Sequence, residues 1–481
     1  MGRNMGNTFL VTAMILCVGS NTFAQKQEAP PMEAINQFIE TQMRKQQIPG
    51  LSLAVVKDGK LLLTHGYGLA DVENNVAATP ETVFQIQSIT KMFTASAIMI
   101  LQREGKLSLD DELSKHLEGA PQTWKGITIR RILNHTSGIK DYINEPFASL
   151  RIDISDEEVL RETAKRPLNY APGERYAYCN TGYLLAGMII RKITGKSYGE
   201  VLQERIFRPL GMSQTRVQEI DEIIPRRATG YRIIDGKLRR GDFVAQSILS
   251  YPGGGILSTA LDMAKFDAMW QGGKIVDDSI RREMWTAGVL NDRIPTNYGL
   301  GFGISDLRGW RQITHSGGHI TGFATRYSIY PQKRLSVIVL TNRNEANTTV
   351  IAEGVAGLID GMLRPPAMMD QKEESDPDLR GKVLKAINEL VGEAKNEDLL
   401  SRPLCKSITE ETKKMLGEAL PTAESMKFLG ADDVAGKEIS AGGISVAQLR
   451  YYRLKYGEKL RYLKFYLTAD GKLAGVSFWD D

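Results

Sequence analysis

The stretch SITKMFTASA, residues 88–97, places Ser88 and Lys91 three positions apart at the start of a largely apolar segment. A helix that begins near Ser88 puts both side chains on one face, one turn apart. A neutral hydroxyl is a poor nucleophile, and lysine can act as its base when burial or a neighbouring cation lowers the lysine pKa. The stretch therefore predicts a serine nucleophile activated by Lys91. The alternative interpretation is an N-cap serine followed by a solvated lysine.

A second stretch, Tyr178-Cys179-Asn180, carries two polar groups that suit the same chemistry. A tyrosine beside a lysine can relay a proton between a nucleophile and a leaving group. An asparagine amide can donate to a substrate carbonyl and accept from the lysine. The alternative is a buried aromatic side chain followed by a helix N-cap at Asn180 or Thr181.

The third stretch, His315-Ser316-Gly317-Gly318, is rich in glycine. Glycines let a substrate approach the backbone closely, and exposed N–H groups in such a stretch can help to form an oxyanion hole. The alternative is a glycine turn between two strands, with a surface histidine.

The order Ser-x-x-Lys, Tyr-x-Asn, His-x-Gly resembles the serine β-lactamase-like family, which includes class C β-lactamases, penicillin-binding DD-peptidases and related esterases. Further stretches are similar to segments of that family: LNHTSG at 133–138, PGER at 172–175, FRPLGM at 207–212 and GGGILST at 253–259. The resemblance runs from about residue 32 to residue 363. It implies a mixed α/β fold of the β-lactamase/transpeptidase type, with an antiparallel sheet flanked by helices and a helical subdomain.

The resemblance implies a catalytic set of three residues. Ser88 would be the acylated nucleophile, Lys91 its activating partner, and Tyr178 would share the general acid–base work. Whether Lys91 or Tyr178 takes the serine proton stays open, because the question is not settled for the family.

The resemblance also implies a substrate-binding set. Asn180 would hold the amide or carbonyl side of the substrate, and His315 would line the pocket opposite Tyr178. The backbone N–H groups of Ser88 and Gly318 would form the oxyanion hole, with Gly317 in the same glycine-rich stretch. No metal or cofactor is expected.

Position 315 departs from the β-lactamase pattern, in which a lysine begins a Lys-Thr-Gly triplet. That lysine places a fixed positive charge near the substrate carboxylate, whereas histidine is only partly charged near neutral pH. His315 therefore disfavours recognition of a β-lactam or of a C-terminal D-Ala carboxylate. His-x-Gly is familiar among the esterases and peptidases of the family.

These patterns predict an exported serine hydrolase that acts on esters or on small amides and peptides through an acyl-enzyme at Ser88. Weak β-lactamase activity stays open. One alternative is a D-amino-acid peptidase that acts on cell-wall fragments, and another is a non-catalytic binding or regulatory module with the same fold. The expected partner is a small-molecule substrate, and the sequence does not determine the oligomeric state.

The periodicity of apolar residues predicts a mixed domain whose two ends share one sheet. The predicted elements are an amphipathic helix at 35–43, a hairpin at 51–63 that turns at Asp58-Gly59, a mostly helical region at 79–293, strands at 298–304, 324–330 and 335–340, and a helix through Ile351 and Leu358. Because the early and late segments are both β-rich, they must pair around the helical insertion.

The pattern changes near Leu363, where Pro365-Pro366 and a charged run to Asp378 indicate a linker. Beyond it, the sequence predicts a helix around 379–391 and alternating strands to the end of the chain. The expected organisation is a signal peptide at 1–24, a serine hydrolase domain at 25–364, a linker at 365–377 and a small α+β accessory domain at 378–481.

The N-terminus has the features of a secretory signal. Arg3 precedes the apolar run from Phe9 to Val18, and Thr22-Phe23-Ala24 provides small residues for a cleavage site. The expected location is therefore secreted or periplasmic, with cleavage near Ala24 and no membrane span afterwards. The alternative is a short membrane anchor.

Charge and cysteine content exclude several other classes. The 481 residues include 61 basic and 57 acidic side chains, a net charge of +4, which argues against a nucleic-acid platform. Removal of the signal leaves Cys179 and Cys405, which belong to different predicted domains, so a disulfide framework is not expected. With 5 histidines and no HExxH motif, a zinc site has little support.

Overall fold

The computed structural model describes most of the chain from residue 30 onward. The described residues are 30–145, 150–272, 275–374, 376–392, 398–401, 404, 413–414, 416–417, 426–437, 439–441, 443–456 and 459–480. The predicted signal peptide at residues 1–24 and Cys405 lie outside them.

Helices dominate the middle of the chain, and strands occupy both ends. The α-helices within the described residues are α1 (Met32–Gln46), α2 (Thr90–Arg103), α3 (Ile129–Leu133), α4 (Asp156–Ala164), α5 (Asn180–Thr194), α6 (Tyr198–Leu202), α7 (Arg208–Leu210), α8 (Gln246–Leu249), α9 (Ala260–Gly272), α10 (Asp278–Met284), α11 (Thr348–Ile359) and α12 (Pro377–Val391).

The strands, in the same part of the chain, are β1 (Gly50–Lys57), β2 (Lys60–Asp71), β3 (Val76–Ala77), β4 (Phe84–Gln85), β5 (Arg216–Val217), β6 (Tyr231–Ile234), β7 (Lys237–Arg240), β8 (Ile256–Ser258), β9 (Gly303–Leu307), β10 (Trp310–His319), β11 (Phe323–Tyr330), β12 (Leu335–Thr341), β13 (Lys427–Asp433), β14 (Ser440–Ala441), β15 (Ile444–Ser445), β16 (Gln448–Tyr456), β17 (Lys459–Leu467) and β18 (Leu473–Asp480).

A seven-stranded antiparallel sheet with the order β3-β2-β1-β12-β11-β10-β9 forms the centre of the fold. The predicted pairing of early and late strands is confirmed, because β1 lies beside β12 with Leu53 opposite Val339. The predicted turn of the first hairpin is also confirmed: Asp58 and Gly59 have positive φ angles of 53° and 75°, as a tight hairpin turn requires.

Helices cover both faces of this sheet. Along β12, Val337 and Val339 pack into the core beneath α1 and α11, whereas Ile338 and Leu340 pack into the larger core that contains α2 and α9. Successive side chains of a strand point to opposite faces, so a strand buried on both sides becomes a continuous apolar run. α2 lies inside the larger core, where its residues from Thr90 to Leu101 are all buried.

The sequence-based strand at 298–304 is wrong. The strand β9 begins only at Gly303, and Tyr298 makes a single bridge to Gly303. The chain turns between them, because the Gly299 N–H donates to the Phe302 carbonyl and Gly301 has a φ of 82°. The glycines therefore override the β-rich composition of the segment.

The last hundred residues add a second, smaller antiparallel sheet with the order β13-β16-β17-β18. The predicted helix α12 packs on one face of this sheet, where Val383, Ile387 and Leu390 meet Tyr452 and Phe465 in one buried cluster. We refer to α12 and the strands β13–β18 as the C-terminal layer.

Charged contacts join the C-terminal layer to the turn between β9 and β10. Arg308 in this turn donates two hydrogen bonds to the Asp432 carboxylate, at 2.9 and 2.6 Å. Asp306 accepts hydrogen bonds from Lys464 Nζ and from the Tyr466 hydroxyl, each at 3.2 Å. Bidentate pairing of arginine with a carboxylate is strong and geometrically specific.

A double-mutant cycle with Arg308→Ala and Asp432→Ala measures how much this pair stabilises the fold. The two side chains are only 20% and 17% exposed, so we expect a coupling energy of about 1.5 kcal/mol or more by chemical denaturation. The control is the exposed pair Lys192–Glu118, with exposures of 60% and 91%, which should couple much more weakly because solvent screens both charges. Equal coupling for the two pairs would contradict the prediction.

Candidate active site

Ser88 lies in a tight 3₁₀ turn, Gln87–Ile89, that leads directly into α2. The helix begins at Thr90, two residues later than the sequence predicts, and Lys91 still reaches back to donate to Ser88 Oγ at 3.2 Å. Gln87 has a φ of 53°, an unfavourable value for a residue with a side chain, and its amide is held by Gln85 and Thr321 at 2.8 and 2.9 Å. The half-buried Ser88 is thus presented from a constrained turn.

Lys91 is completely buried, with an exposed fraction of 0%. Its Nζ donates to three oxygens: Ser88 Oγ at 3.2 Å, Asn180 Oδ1 at 2.9 Å and the Gly253 carbonyl at 2.8 Å. Burial lowers the pKa of Lys91 to about 7, against the opposing effect of the Asp141 charge. A substantial fraction of Lys91 is therefore neutral near pH 7.

The contacts of Lys91 also suit its neutral form. A neutral amine has two N–H groups and one lone pair, whereas the carbonyl oxygens of Asn180 and Gly253 can only accept. With both N–H groups directed to these oxygens, the lone pair remains for the Ser88 hydroxyl. In this geometry Lys91 Nζ is within reach of the Ser88 proton.

Tyr178 lies at the mouth of the site, where it is 39% exposed. Its ring centroid is 4.8 Å from Lys91 Nζ. Desolvation of the hydroxyl, aided by Tyr251, raises the pKa of Tyr178 well above its usual range, and a hydrogen bond with Ser88 opposes this. The resting phenol therefore carries its proton at neutral pH.

Asn180 is the first residue of α5, and its amide links Lys91 to a carboxylate that the sequence analysis missed. The amide nitrogen donates to Asp141 Oδ2 at 2.8 Å, which fixes the orientation of the amide, and Oδ1 accepts from Lys91. Oδ1 also accepts from the Tyr251 hydroxyl at 3.2 Å. Asp141 and Tyr251 lie outside the quoted motifs, and the only sequence signal is that Asp141 follows the 133–138 stretch and Tyr251 precedes the 253–259 stretch.

His315 on β10 is neutral and has both ring nitrogens occupied. Nδ1 donates to the Ser316 carbonyl at 2.6 Å, and Nε2 accepts from the Tyr298 hydroxyl at 2.7 Å. Burial, followed by the charge of Lys91, lowers the pKa of His315 to about 3. The expectation of a partly charged histidine is therefore wrong, since the ring lies in a dry environment beside a cation.

The two glycines after His315 lie within β10 itself, so the alternative of a glycine turn between strands does not hold. A Cβ on Gly317 would lie 2.4 Å from the Ile86 carbonyl oxygen and 2.7 Å from Gln87 Cβ. Only glycine therefore allows β10 to approach the turn that carries Ser88. A Cβ on Gly318 would meet nothing within 4 Å, so this position borders open space.

An aromatic cluster around the buried His135 supports the Tyr178–Asn180 segment. The His135 ring lies 4.4 Å from the Tyr178 ring, and Nδ1 accepts from the Cys179 N–H at 3.1 Å. The Cys179 thiol is free and buried, and it donates to the Ile139 carbonyl at 3.3 Å. In the sequence, His135 was singled out only as part of the 133–138 stretch.

A second serine pattern, Gly195-Lys196-Ser197-Tyr198-Gly199, has the Gly-x-Ser-x-Gly spacing of α/β-hydrolases. Here Ser197 caps the N-terminus of α6 in a capping box with Glu200. This serine is thus engaged in helix capping, and no strand precedes it as a nucleophile elbow requires.

Within the described residues, no three or more histidine, cysteine, aspartate or glutamate side chains are arranged to hold a metal ion. Within the same residues, no helix has the length and apolar character needed to cross a bilayer.

Comparison with known proteins places this geometry in a family. The profile of the Beta-lactamase family matches residues 35–358. Penicillin-binding protein 4* of Bacillus subtilis (strain 168) is 30% identical over 326 residues, which cover 64% of this chain and 71% of that protein. Protein flp of Staphylococcus aureus (strain N315) is 36% identical over 205 residues, 42% of this chain, and the match spans only 41% of that protein.

Solved structures agree with these sequence matches. The octameric penicillin-binding protein homologue from Pyrococcus abyssi has a TM-score of 0.61 and 26% identity, covering 92% of this chain and 97% of its own. A D-stereospecific amidohydrolase from Streptomyces sp. has a TM-score of 0.58 and 25% identity, covering 68% of this chain and 98% of its own. The chain has the fold of the penicillin-binding proteins and belongs to the beta-lactamase family of serine hydrolases.

Proposed function

We propose that this chain hydrolyses esters, or small amides and peptides, through an acyl-enzyme formed at Ser88. The observation that carries the proposal is the contact between Ser88 and a buried lysine whose pKa is about 7. With this pKa, a substantial fraction of the lysine is neutral at pH 7 and can accept a proton. Its two N–H groups still donate to the carbonyl oxygens of Asn180 and Gly253. The likeness to penicillin-binding proteins and to an amidohydrolase supports the same reaction class.

In the first step, Ser88 Oγ bonds to the substrate carbonyl carbon while its proton passes to Lys91 Nζ. The carbonyl oxygen takes up the negative charge and is stabilised by the backbone N–H groups of Ser88 and Gly318. As the bond to the leaving group breaks, the Tyr178 phenol gives its proton to the departing oxygen or nitrogen, and the Lys91 ammonium then reprotonates Tyr178. In the second step, a water molecule attacks the carbonyl carbon of the acyl-enzyme, and the proton transfers run in reverse. This step releases the acid and returns the proton to Ser88.

The neutral state of His315 favours substrates without a carboxylate beside the bond that breaks. A lysine at this position would supply a fixed positive charge, whereas His315 bonded to Tyr298 supplies none. We therefore propose simple acyl esters and small amides as the main substrate class, with β-lactams as poor substrates.

A D-amino-acid peptidase is the second candidate, and the likeness to the D-stereospecific amidohydrolase favours it. The two candidates differ in the bond that is cleaved. Release of D-Ala from a muropeptide, measured beside turnover of a nitrophenyl acyl ester, decides between them. If neither substrate is turned over and no acyl-enzyme forms with any ester, the third candidate, a non-catalytic binding module, gains support.

We also propose that the chain is exported and that it is cleaved after Ala24. The basic start, the apolar run at 9–18 and the small residues at 22 and 24 support this. Expressed in a bacterium with its full N-terminus, the protein is expected in the extracytoplasmic fraction with Gln25 as its first residue by N-terminal sequencing. An intact N-terminus in a membrane fraction would point to the anchor alternative.

Replacement of the nucleophile tests the proposal directly. Ser88→Ala should lower kcat for a nitrophenyl acyl ester by about a thousandfold or more, because no covalent route remains. Intact-mass spectrometry should detect an acyl adduct on the parent chain and none on the variant. Ser96→Ala is the matched control: Ser96 is a buried serine of α2, the helix that follows Ser88, and it donates to the Met92 carbonyl, so its loss should leave acylation intact. Full ester turnover by Ser88→Ala would disprove the assignment.

The pH dependence tests the role of Lys91. Lys91 must be neutral to accept a proton, so kcat/KM should rise with pH through the lysine pKa of about 7. The Asp141 charge raises this pKa, so Asp141→Asn should move the ascending limb to lower pH. Asp470→Asn, at an exposed carboxylate in the turn before β18, should leave the limb in place. A limb that stays fixed or moves to higher pH in Asp141→Asn would contradict this role.

A further inference from the structure

A cavity of about 480 Å³ lies on the opposite face of the main sheet from Ser88. It is lined by residues of both the main sheet and the C-terminal layer, including Arg326 of β11, Glu353 of α11 and Lys464 of β17. Arg326 lies directly across from Ser316 in the pairing of β11 with β10. The wall of the cavity is thus the back of the strand whose front carries His315 and Gly317.

Three charged residues of the lining, Asp306, Arg308 and Lys464, are held in ion pairs. Arg308 binds Asp432 with two hydrogen bonds, and Lys464 binds Asp306. Each of these two pairs is neutral, and Lys45, a further basic residue of the lining, also has an interaction of its own.

Arg326 and Glu353 also line the cavity, but neither forms an ion pair with a described residue. Arg326 uses Nε to donate to Ser328 Oγ at 3.1 Å, and Glu353 accepts from the neutral amide of Gln312 at 3.3 Å. Neither side chain has an opposite charge within 4.0 Å among the described residues. The terminal nitrogens of Arg326 and the second oxygen of Glu353 therefore have no protein partner there.

This arrangement carries an electrostatic cost. Burial raises the pKa of Glu353 and lowers the pKa of Arg326, and each effect is partly offset by the charge of the other group. The two groups attract each other without forming an ion pair within 4.0 Å, and both line the cavity. Unpaired charges in a low-dielectric space are stabilised most by a partner of opposite charge with directed hydrogen bonds.

Part of the remaining lining is apolar, and polar residues such as Ser305 and Asn347 make up the rest. Phe38, Val350, Pro365 and Met368 contribute to the same cavity. A ligand would therefore place a small hydrocarbon body against these residues while its polar ends face the charged pair.

We propose that this cavity binds a small zwitterion of the amino-acid or dipeptide class. The ligand carboxylate accepts two hydrogen bonds from the terminal nitrogens of Arg326, and the ligand ammonium pairs with the Glu353 carboxylate. Such a ligand neutralises both unpaired charges and adds no net charge to the cavity. The proposal does not depend on the chemistry at Ser88.

Calorimetric titration of the full chain with alanine and with alanyl-alanine tests this site. We expect one molecule of at least one of these zwitterions to bind per chain at millimolar concentration or below. N-acetyl-alanyl-alanine lacks the ammonium and alanyl-alaninamide lacks the carboxylate, and each should bind at least about tenfold more weakly than alanyl-alanine. The same order should hold for alanine and its two blocked forms.

The variants Arg326→Gln and Glu353→Gln test whether the zwitterion binds in this cavity. Each should weaken it at least about tenfold, whereas the exposed controls Arg44→Gln and Glu118→Gln should not change it. Four outcomes would overturn the proposal: no heat of binding for either zwitterion up to about 10 mM, blocked forms that bind as well as their parents, affinity unchanged in both folded cavity variants, or affinity equally reduced in the exposed controls. If the cavity variants fail to fold, the blocked ligands on the unmodified chain still decide.

Discussion

The site depends on a buried lysine that has no ion pair with any residue the structure describes. Lys91 has no solvent contact, and the carboxylate that would most raise its pKa, Asp141, is bonded instead to the amide nitrogen of Asn180. Asn180 therefore separates the two charges while it holds both groups, with Lys91 on its oxygen and Asp141 on its nitrogen. A direct contact between Lys91 and Asp141 would keep the lysine charged. The inserted amide leaves burial as the stronger effect, and a pKa near 7 is the result.

The rest of the fold serves to keep this lysine enclosed and Ser88 reachable. α2 can be buried on all sides because the helical region covers one side of it and the sheet covers the other. β10 closes the site only because Gly317 lets the strand approach the Ser88 turn, and Gly301 allows a similar close approach to the Lys91 carbonyl. The sheet that supports β10 is completed by the pairing of β1 with β12, so segments from both ends of the hydrolase region must be present before the site exists.

Much of the arrangement could be predicted from the sequence, and the failures have physical causes. The contact between Ser88 and Lys91 depends on their separation of three residues. It therefore forms as predicted, although the helix begins at Thr90 and not at Ser88. Tyr178, Asn180 and His315 were found through short motifs, and the structure brings them around Lys91. Asp141, Tyr251 and Tyr298 were missed, because each reaches the site by tertiary contact alone and belongs to no periodic pattern. The state of His315 was also mispredicted, since a histidine pKa depends on burial and on neighbouring charges that the sequence does not display.

The hairpin of β9 and β10 connects the C-terminal layer to the site. The turn of this hairpin is held by Arg308 on Asp432 and by Lys464 on Asp306. From that turn, β10 runs through His315 and Gly317 to the edge of the Ser88 turn. The same strand borders the rear cavity, where Ser316 lies opposite Arg326. Close-packed strands transmit small displacements and do not absorb them. We therefore expect a change in the docking of the C-terminal layer to displace β10, because a Cβ at position 317 would already lie 2.4 Å from the Ile86 carbonyl oxygen beside the Ser88 turn.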